Sequence, residues 1–146
     1  MALFRITRRS SLSAAEAWRR VTDWERHAAP VPFTEIRVAG ASVAGAGTTF
    51  TAHTAVGPVG FDDPMEVTFW QSPLGDRPGL CRLEKRGTVV TGWAEIEVRP
   101  RGEGSVVQWR EDVRVAVLPR MADTLTAWCG RVLFGRVVRR LLDEDA

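Results

Sequence analysis

Apolar and polar residues alternate along most of this chain, and a two-residue period predicts β-strands. In the first run, residues 3–10, Phe4 and Ile6 fall on one face while arginines and a threonine fall on the other. The same alternation recurs between glycine and proline breaks and predicts about six further strands, over 36–38, 48–55, 65–70, 80–85, 93–98 and 106–118. Gly87 and Gly92 can each form a turn, so the sequence leaves open at which of them the chain turns between the strands over 80–85 and 93–98.

Two segments repeat their apolar residues at helical spacing instead. Ser13, with Glu16 three residues later, is typical of a capping box and begins a helix predicted over 14–25. Pro30 and Pro32 break any continuation, so residues 26–33 are predicted as a short second helix or turn. Residues 121–142 are predicted as one long helix of about 33 Å. Its broad apolar stripe consists of Leu125, Trp128, Cys129, Val132, Leu133, Val137 and Leu141.

The order of these elements, β-α-α-β6-α, predicts an α+β fold. We expect a strongly curved antiparallel sheet of about seven strands, wrapped around the long C-terminal helix. The first strand must pair within the later sheet, because a lone strand is not stable. A curved sheet with a helix across its mouth leaves a concave, mainly apolar space of the kind that ligand sites favour. The alternative is that large side chains fill this space, since the chain has six tryptophans and six phenylalanines.

Composition narrows the function classes. The 146 residues suit a single domain over 1–146, and no run approaches the ~18 apolar residues of a membrane span. The amino-terminal residues lack a signal-peptide core, so we expect a cytoplasmic protein without integral membrane association. The net charge is +2, Lys85 is the only lysine, and the arginines are scattered among acids. This distribution argues against nucleic-acid binding.

Residues that hold metals or cofactors are few. Cys81 and Cys129 lie far apart in a chain without a secretion signal, so we expect both to be reduced and buried. With only His27 and His53 besides, no metal-ligand spacing is present. The glycines at 40, 45 and 47 precede strands rather than a helix, so they do not form a dinucleotide-binding loop. We expect no metal and no cofactor.

The whole chain resembles the helix-grip superfamily called START-like or SRPBCC. The resemblance rests on the order of elements, on residues 13–18 and 21–27 around the first helix, on 84–93 and 109–112, and on the terminal helix. These segments look like bacterial polyketide cyclase/dehydrase-like proteins of unassigned activity. The superfamily includes aromatic polyketide cyclases, lipid-transfer domains and small-molecule carriers. The resemblance therefore implies a helix-grip fold around a pocket for a hydrophobic small molecule, and it implies no single chemistry.

The last strand carries the main candidate for a functional polar group. The parity of its apolar face places Glu111 on the pocket side, where a carboxylate is costly unless it is paired or protonated. The parity of the first strand turns Arg8 inward, and a register of residue 4 with 115 would set Arg8 opposite Glu111. We hypothesise that Glu111, with or without Arg8, orients a ligand carbonyl, hydroxyl or amine. The alternative is an ion pair at the rim of the sheet that only sets the register.

Other side chains are candidates for the same pocket. His53 can face either way along its strand, and an inward His53 would act as an acid or base near neutral pH. His27 is expected to close the end of the first helix. Trp70 and Trp93 fall on the outward parity, where they favour a homodimer or another partner surface. The predicted apolar lining, which plain core packing explains equally well, is Trp109, Phe69, Met65, Trp128 and Val132, with Trp24 at an entrance.

Three functions are compatible with these residues. The first is a carrier or sensor that binds a lipid, an isoprenoid or an aromatic polyketide. The second is an enzyme of the polyketide cyclase/dehydratase type, in which Glu111 or His53 moves protons. The third is a protein-interaction module. Because few acid–base residues converge, the sequence favours binding over catalysis.

Overall fold

The computed structural model describes residues 2–28, 34–39, 45–56, 58–115 and 123–143. Over these ranges the chain forms seven strands, two α-helices and one 3₁₀ helix. The strands are β1 (Ala2–Ser10), β2 (Thr34–Ala39), β3 (Thr49–Val56), β4 (Val59–Gln71), β5 (Gly79–Lys85), β6 (Val90–Arg101) and β7 (Gly104–Val115). The helices are α1 (Ala14–Val21), the 3₁₀ helix (Trp24–Ala28) and α2 (Asp123–Asp143).

The seven strands lie in one antiparallel sheet in the order β1-β7-β6-β5-β4-β3-β2. The first strand therefore pairs within the later sheet, as predicted. Its neighbour is the last strand, β7, and β2 forms the opposite edge. The sheet curls around α2, which packs against β1, β7 and α1. The predicted α+β helix-grip fold is confirmed, with a single 3₁₀ helix in the place of the second predicted helix.

Helix α1 ends close to the concave face of the sheet. The Ser13 hydroxyl accepts a hydrogen bond from the Glu16 amide at 3.2 Å, so the predicted cap is present. The prediction of a helix through residue 25 is wrong, because α1 ends at Val21 and a 3₁₀ helix begins at Trp24. The Val21 carbonyl accepts a hydrogen bond from the His27 ring at 2.8 Å. This bond satisfies a carbonyl that the end of a helix leaves open, and it ties the 3₁₀ helix to α1.

A β-bulge in β4 reverses the expected faces of two aromatic residues. The register between β4 and β5 shifts between Val67 and Phe69, so Thr68 is an inserted residue. Beyond it the alternation is displaced by one position. Phe69 is 45% exposed, and Trp70 turns towards the core, where its ring lies 5.0 Å from that of Trp18. The predictions that Phe69 lines the pocket and that Trp70 faces outward are therefore wrong.

The register of β1 against β7 also differs from the prediction. Phe4 lies opposite Glu111 rather than opposite residue 115, and Arg8 lies opposite Val107. The prediction that Arg8 faces Glu111 is wrong, since its guanidinium donates to Asp143 of α2 at 3.1 Å. A shift by an even number of residues keeps each side chain on its predicted face, so Glu111 still points inward.

Buried apolar side chains from both α-helices and from the sheet form the core. Cys81 belongs to it as a free thiol, and burial raises the pKa of that thiol to about 12, so it is unreactive. The side chain of Cys129 lies outside the described part of the chain. No helix within the described ranges is both long and apolar enough to cross a membrane. The buried core comprises Phe4, Ala17, Trp18, Val21, Trp24, Phe50, Val67, Cys81, Leu83, Ala94, Ile96, Val98, Val107, Trp109, Val138 and Leu142.

Candidate functional site

A cavity of about 230 Å³ lies between the concave face of the sheet, the 3₁₀ helix and α2. Two stacked aromatic pairs form part of its wall: Trp24 on Phe50, with ring centroids 4.9 Å apart, and Trp109 on Phe134 at 5.4 Å. These large side chains line the space rather than fill it. The wall that the structure describes consists of Trp24, His27, Thr34, Ile36, Phe50, Ala52, Thr54, Asp63, Met65, Leu83, Lys85, Val90, Ala94, Trp109, Glu111, Val113 and Phe134.

Three charged side chains, Asp63, Lys85 and Glu111, meet on this mainly apolar wall, and we call them the charged cluster. Lys85 Nζ lies 2.7 Å from Asp63 Oδ2 and 3.3 Å from Glu111 Oε1. Glu111 Oε2 accepts a hydrogen bond from Trp109 Nε1 at 3.0 Å. The side chains of Lys85 and Glu111 are only 4% and 2% exposed, so this ion pair is withdrawn from solvent.

Strand alternation explains why the three side chains point the same way. In β5, Lys85 continues the face of the buried residues 81 and 83, and in β4, Asp63 shares the face of Met65. Strand β6 separates β5 from β7, but its residue opposite Glu111 is Ala94, which carries only a methyl group. The small side chain leaves room for Lys85 to reach across β6 to Glu111.

Burial and mutual charge set the protonation of the cluster. Burial raises the pKa of Glu111, and the Lys85 ammonium and the Trp109 hydrogen bond oppose this only in part. Burial alone would lower the pKa of Lys85, but the charges of Glu111 and Asp63 outweigh it and raise that pKa. Lys85 is therefore a cation at neutral pH, whereas the raised pKa means that Glu111 takes up a proton at a higher pH than an exposed carboxyl does.

His27 lies on the same wall between two tryptophans. Its ring centroid is 5.4 Å from that of Trp24 and 5.5 Å from that of Trp109. Because a carbonyl can only accept, the bond to Val21 places a ring proton on Nε2. Burial lowers the pKa of His27 to about 4, so the ring is neutral at physiological pH. The residue closes the end of α1, as predicted, and its place on the cavity wall was not predicted.

Two wall residues carry a buried polar atom without a hydrogen-bond partner among the described residues. These atoms are Asp63 Oδ1, an acceptor, and Trp24 Nε1, a donor. Buried polar atoms in proteins are nearly always paired, so both are candidates for bonds to a ligand or to ordered water. At the β2–β3 side of the wall, the hydroxyls of Thr34 and Thr54 lie 2.8 Å apart. No group of three potential metal-ligating side chains occurs in the ranges that the structure describes.

Four of the predicted site residues lie on the cavity wall: Trp24, Met65, Trp109 and Glu111. Their contact with a ligand stays a prediction. His53, whose orientation the sequence left open, faces away from the cavity, because β3 turns residues 50, 52 and 54 inward. Its ring nitrogen Nδ1 lies within hydrogen-bonding distance of Asp62 Oδ1 on the adjacent strand, at a partly exposed position.

Trp128 and Val132 do not reach the cavity. They are 62% and 41% exposed, and together with Arg8 they line a shallow groove between α2 and β1. The prediction that both line the pocket is wrong. Helix α2 turns Phe134 and Val138 towards the core, and with 3.6 residues per turn Val132 then lies on the opposite side of the helix. The broad apolar stripe in the sequence did not distinguish these two sides.

Lys85 and Asp63 are the functional candidates that sequence reasoning missed. Both could have been found from strand alternation. Lys85 is the only lysine in the chain, and it falls on the parity of the buried residues of its strand. Asp63 falls on the parity of Met65, two residues later. A charged residue on an apolar face is the signal that had already indicated Glu111.

No family model matches this chain, and no curated protein matches it. Solved structures do match. A STAR-related lipid transfer protein from Xanthomonas axonopodis is 15% identical over 96% of this chain and 83% of that chain, with a TM-score of 0.69. A START superfamily protein from Mycobacterium smegmatis is 14% identical over 95% of this chain and 96% of that chain, with a TM-score of 0.68.

The structure is also similar to that of norcoclaurine synthase from Thalictrum flavum in complex with dopamine and hydroxybenzaldehyde. The synthase is 13% identical over 99% of this chain and 88% of that chain, with a TM-score of 0.61. At such identities the likeness shows the fold alone, because one fold supports many functions. The predicted START-like resemblance is confirmed at the level of the fold.

Proposed function

We propose that this chain, which has the START-like helix-grip fold, binds a hydrophobic small molecule in the cavity between the sheet and α2. The observation that carries the proposal is the space itself. Aromatic rings stack around about 230 Å³ without closing it, although protein interiors are normally close-packed. The apolar wall favours a lipid, an isoprenoid or an aromatic polyketide.

The dimensions and polarity of the cavity limit how such a ligand would lie. Its 230 Å³ is below the ~300–1,000 Å³ of pockets for drug-sized ligands. It therefore suits a small molecule, or one part of a longer one. The charged cluster would take a polar end of the ligand, and the Trp24–Phe50 pair would pack against an apolar body. The ligand would then bind in one orientation, and both the charged cluster and the aromatic pair would contribute to its affinity.

The test is native mass spectrometry of protein purified from its own host, with extraction of whatever is bound. We expect a stoichiometric hydrophobic compound. In parallel, the purified protein should take up an apolar fluorescent dye, and the substitution Ala52→Phe should abolish uptake by filling the cavity. Thr51→Phe is the matched control, since Thr51 lies next to Ala52 in β3 and does not line the cavity. The absence of any compound together with equal dye uptake by both variants would contradict the proposal.

Catalysis of the polyketide cyclase/dehydratase type is the second candidate, and Glu111 is the observation that favours it. A buried carboxyl with a raised pKa beside a lysine cation suits proton transfer to or from a bound carbonyl compound. His53 gives no support, because it lies outside the cavity. If the protein turns over such a substrate, Glu111→Gln should lower kcat at least about a hundredfold. Dye binding by that variant should be retained, and an unchanged kcat would exclude this role.

A further inference from the structure

The charged cluster contains one more acid than base. Asp63 and Glu111 supply two carboxyls against the single ammonium of Lys85. His27, the remaining titratable side chain on the described wall, is neutral at physiological pH. With both carboxyls ionised, the described wall holds one surplus negative charge, which is costly in an apolar surrounding. Either a proton on Glu111 or a second cation removes that surplus.

The hydrogen bonds of the cluster leave room for a further donor. The ammonium of Lys85 is directed at Asp63 Oδ2, at Glu111 Oε1 and at the Met65 sulfur, 3.7 Å away. Asp63 Oδ1 has no donor among the described residues, although it is buried. Unused acceptor capacity beside a surplus negative charge fits a donor that itself carries positive charge. An anionic group would instead add a second unpaired charge.

The rest of the wall suits the same kind of molecule. Two indole rings, Trp24 and Trp109, each stack on a phenylalanine, and tryptophan faces attract ammonium groups. Beyond the cluster the described wall is mainly aliphatic and aromatic, so a hydrocarbon body is buried there without unpaired polar groups. Trp24 Nε1 has no hydrogen-bond partner among the described residues, so it can donate to a hydroxyl, ether or carbonyl oxygen of the ligand.

We infer that the ligand is an amphipathic amine, whose protonated amino group pairs with Asp63 and Glu111 while its apolar body packs against the stacked aromatic rings. The inference rests on the proposed binding function and narrows it from hydrophobic molecules in general to cationic ones. It excludes fatty acids and other carboxylates as preferred ligands. In this inference, the two buried acids and one base select among ligands by their charge.

The test compares three probes that share one apolar body: phenylbutylamine, phenylbutanol and phenylbutyrate. Binding at neutral pH is measured by isothermal titration calorimetry and by the fluorescence of the wall tryptophans. Because charge-assisted hydrogen bonds are stronger than neutral ones, we expect the amine to bind at least about tenfold more tightly than the alcohol. The carboxylate should bind most weakly.

Two substitutions identify the origin of this preference. Glu111→Gln removes one acid and balances the charges of the cluster, so the amine should lose most of its advantage in affinity over the alcohol. Asp63→Asn removes the charge of the other acid and has the same expected result. It replaces Glu111→Gln in the test if that variant does not fold. Glu103→Gln makes the same chemical change at an exposed turn between β6 and β7 and should leave all three affinities unchanged.

The outcomes separate this inference from the proposed function. Equal binding of amine and alcohol, or preference for the carboxylate, overturns the amine assignment and leaves the binding function standing. If both cluster variants still prefer the amine, the amine assignment is also overturned, because the surplus negative charge is then not the cause of the preference. If no probe binds and the apolar dye is also refused, the proposed function itself fails.

Discussion

Lys85 and Glu111 form an ion pair inside the cavity although their strands are not neighbours in the sheet. Lys85 Nζ lies 3.3 Å from Glu111 Oε1, and strand β6 lies between β5 and β7. The pair depends on the curl of the sheet and on the small Ala94 in the intervening strand. It gives a mainly apolar cavity a charged side.

The first prediction concerns the loss of the only cation in this cluster. Lys85→Met leaves Asp63 and Glu111 without a counter-charge, and breaking a buried pair from one side costs about 3–5 kcal/mol. We expect the free energy of unfolding at neutral pH to fall by that amount in urea denaturation. The loss should shrink at lower pH, as Glu111, whose pKa burial raises, becomes protonated.

Arg86→Met is the control for this prediction. Arg86 follows Lys85 in the chain, is largely exposed, and lies 3.6 Å from Glu66. Surface ion pairs contribute less than about 1 kcal/mol, so this substitution should cost little. Equal losses of unfolding free energy in Lys85→Met and Arg86→Met would show that the buried cluster stabilises the fold no more than a surface ion pair does.

The second prediction concerns His27 and pH. Its pKa is about 4 in the folded chain, against 6.5 in the unfolded chain, because burial disfavours the charged ring. The unfolded state therefore binds more protons between these values, and the stability that neutral His27 contributes is lost as pH falls from 6.5 to 4. At 1.36 kcal/mol for each pKa unit, the loss is on the order of 3 kcal/mol.

This prediction is checked by urea denaturation of the unsubstituted protein and of His27→Gln across the same pH range. The difference in unfolding free energy between the two should change with pH, since only one of them titrates at this position. His53→Gln is the control, because His53 is partly exposed and lies outside the cavity. A constant difference for His27→Gln would show that the ring is not buried in its neutral form.

The third prediction concerns Gly92, which lies in β6 opposite Val113 of the cavity wall. Its φ is +128°, and an added Cβ would lie 1.8 Å from the Asp112 carbonyl oxygen. We expect Gly92→Ala to destabilise the protein by at least about 3 kcal/mol, because the β6–β7 ladder must shift. Gly102→Ala is the control: its φ is +57° with nothing within 4 Å, so it should cost only about 1 kcal/mol.

The fourth prediction tests the β-bulge at Thr68. Trp70 packs against Trp18, so Trp70→Ala should lower the free energy of unfolding by about 3 kcal/mol. Phe69 is its exposed neighbour, and Phe69→Ala should cost about 1 kcal/mol or less. Thermal and urea denaturation of both variants provide the measurement. A larger loss for Phe69→Ala would mean that the alternation of β4 continues without a bulge.

Alternation along single strands was enough to place much of the candidate site. It predicted that Glu111, Trp109 and Met65 face the interior, and the cavity wall contains all three. Alternation could also have identified Lys85 and Asp63, which obey the same rule. It is a local property of the backbone, and so a single sequence reports it.

The alternation within a strand does not report the register in which that strand pairs with its neighbours. The pairing of Arg8 with Glu111 was wrong by four positions, because the register of β1 against β7 joins segments about a hundred residues apart. The bulge at Thr68 displaced the faces of Phe69 and Trp70, and one inserted residue leaves no mark on an apolar pattern. The broad stripe of α2 likewise left open which side packs against the core.

The sequence by itself therefore determined the order of elements, the helix-grip fold and the inward direction of the main acid. Repeating patterns of two and 3.6 residues encode the elements and their inward faces within each segment, and the resemblance of the whole chain to the helix-grip superfamily implied the fold. Only the tertiary structure decided that Asp63, Lys85 and Glu111 converge, and that a cavity remains beside them. Convergence depends on register, on the curl of the sheet and on the small Ala94, and all three arise from contacts between segments that are distant in the chain.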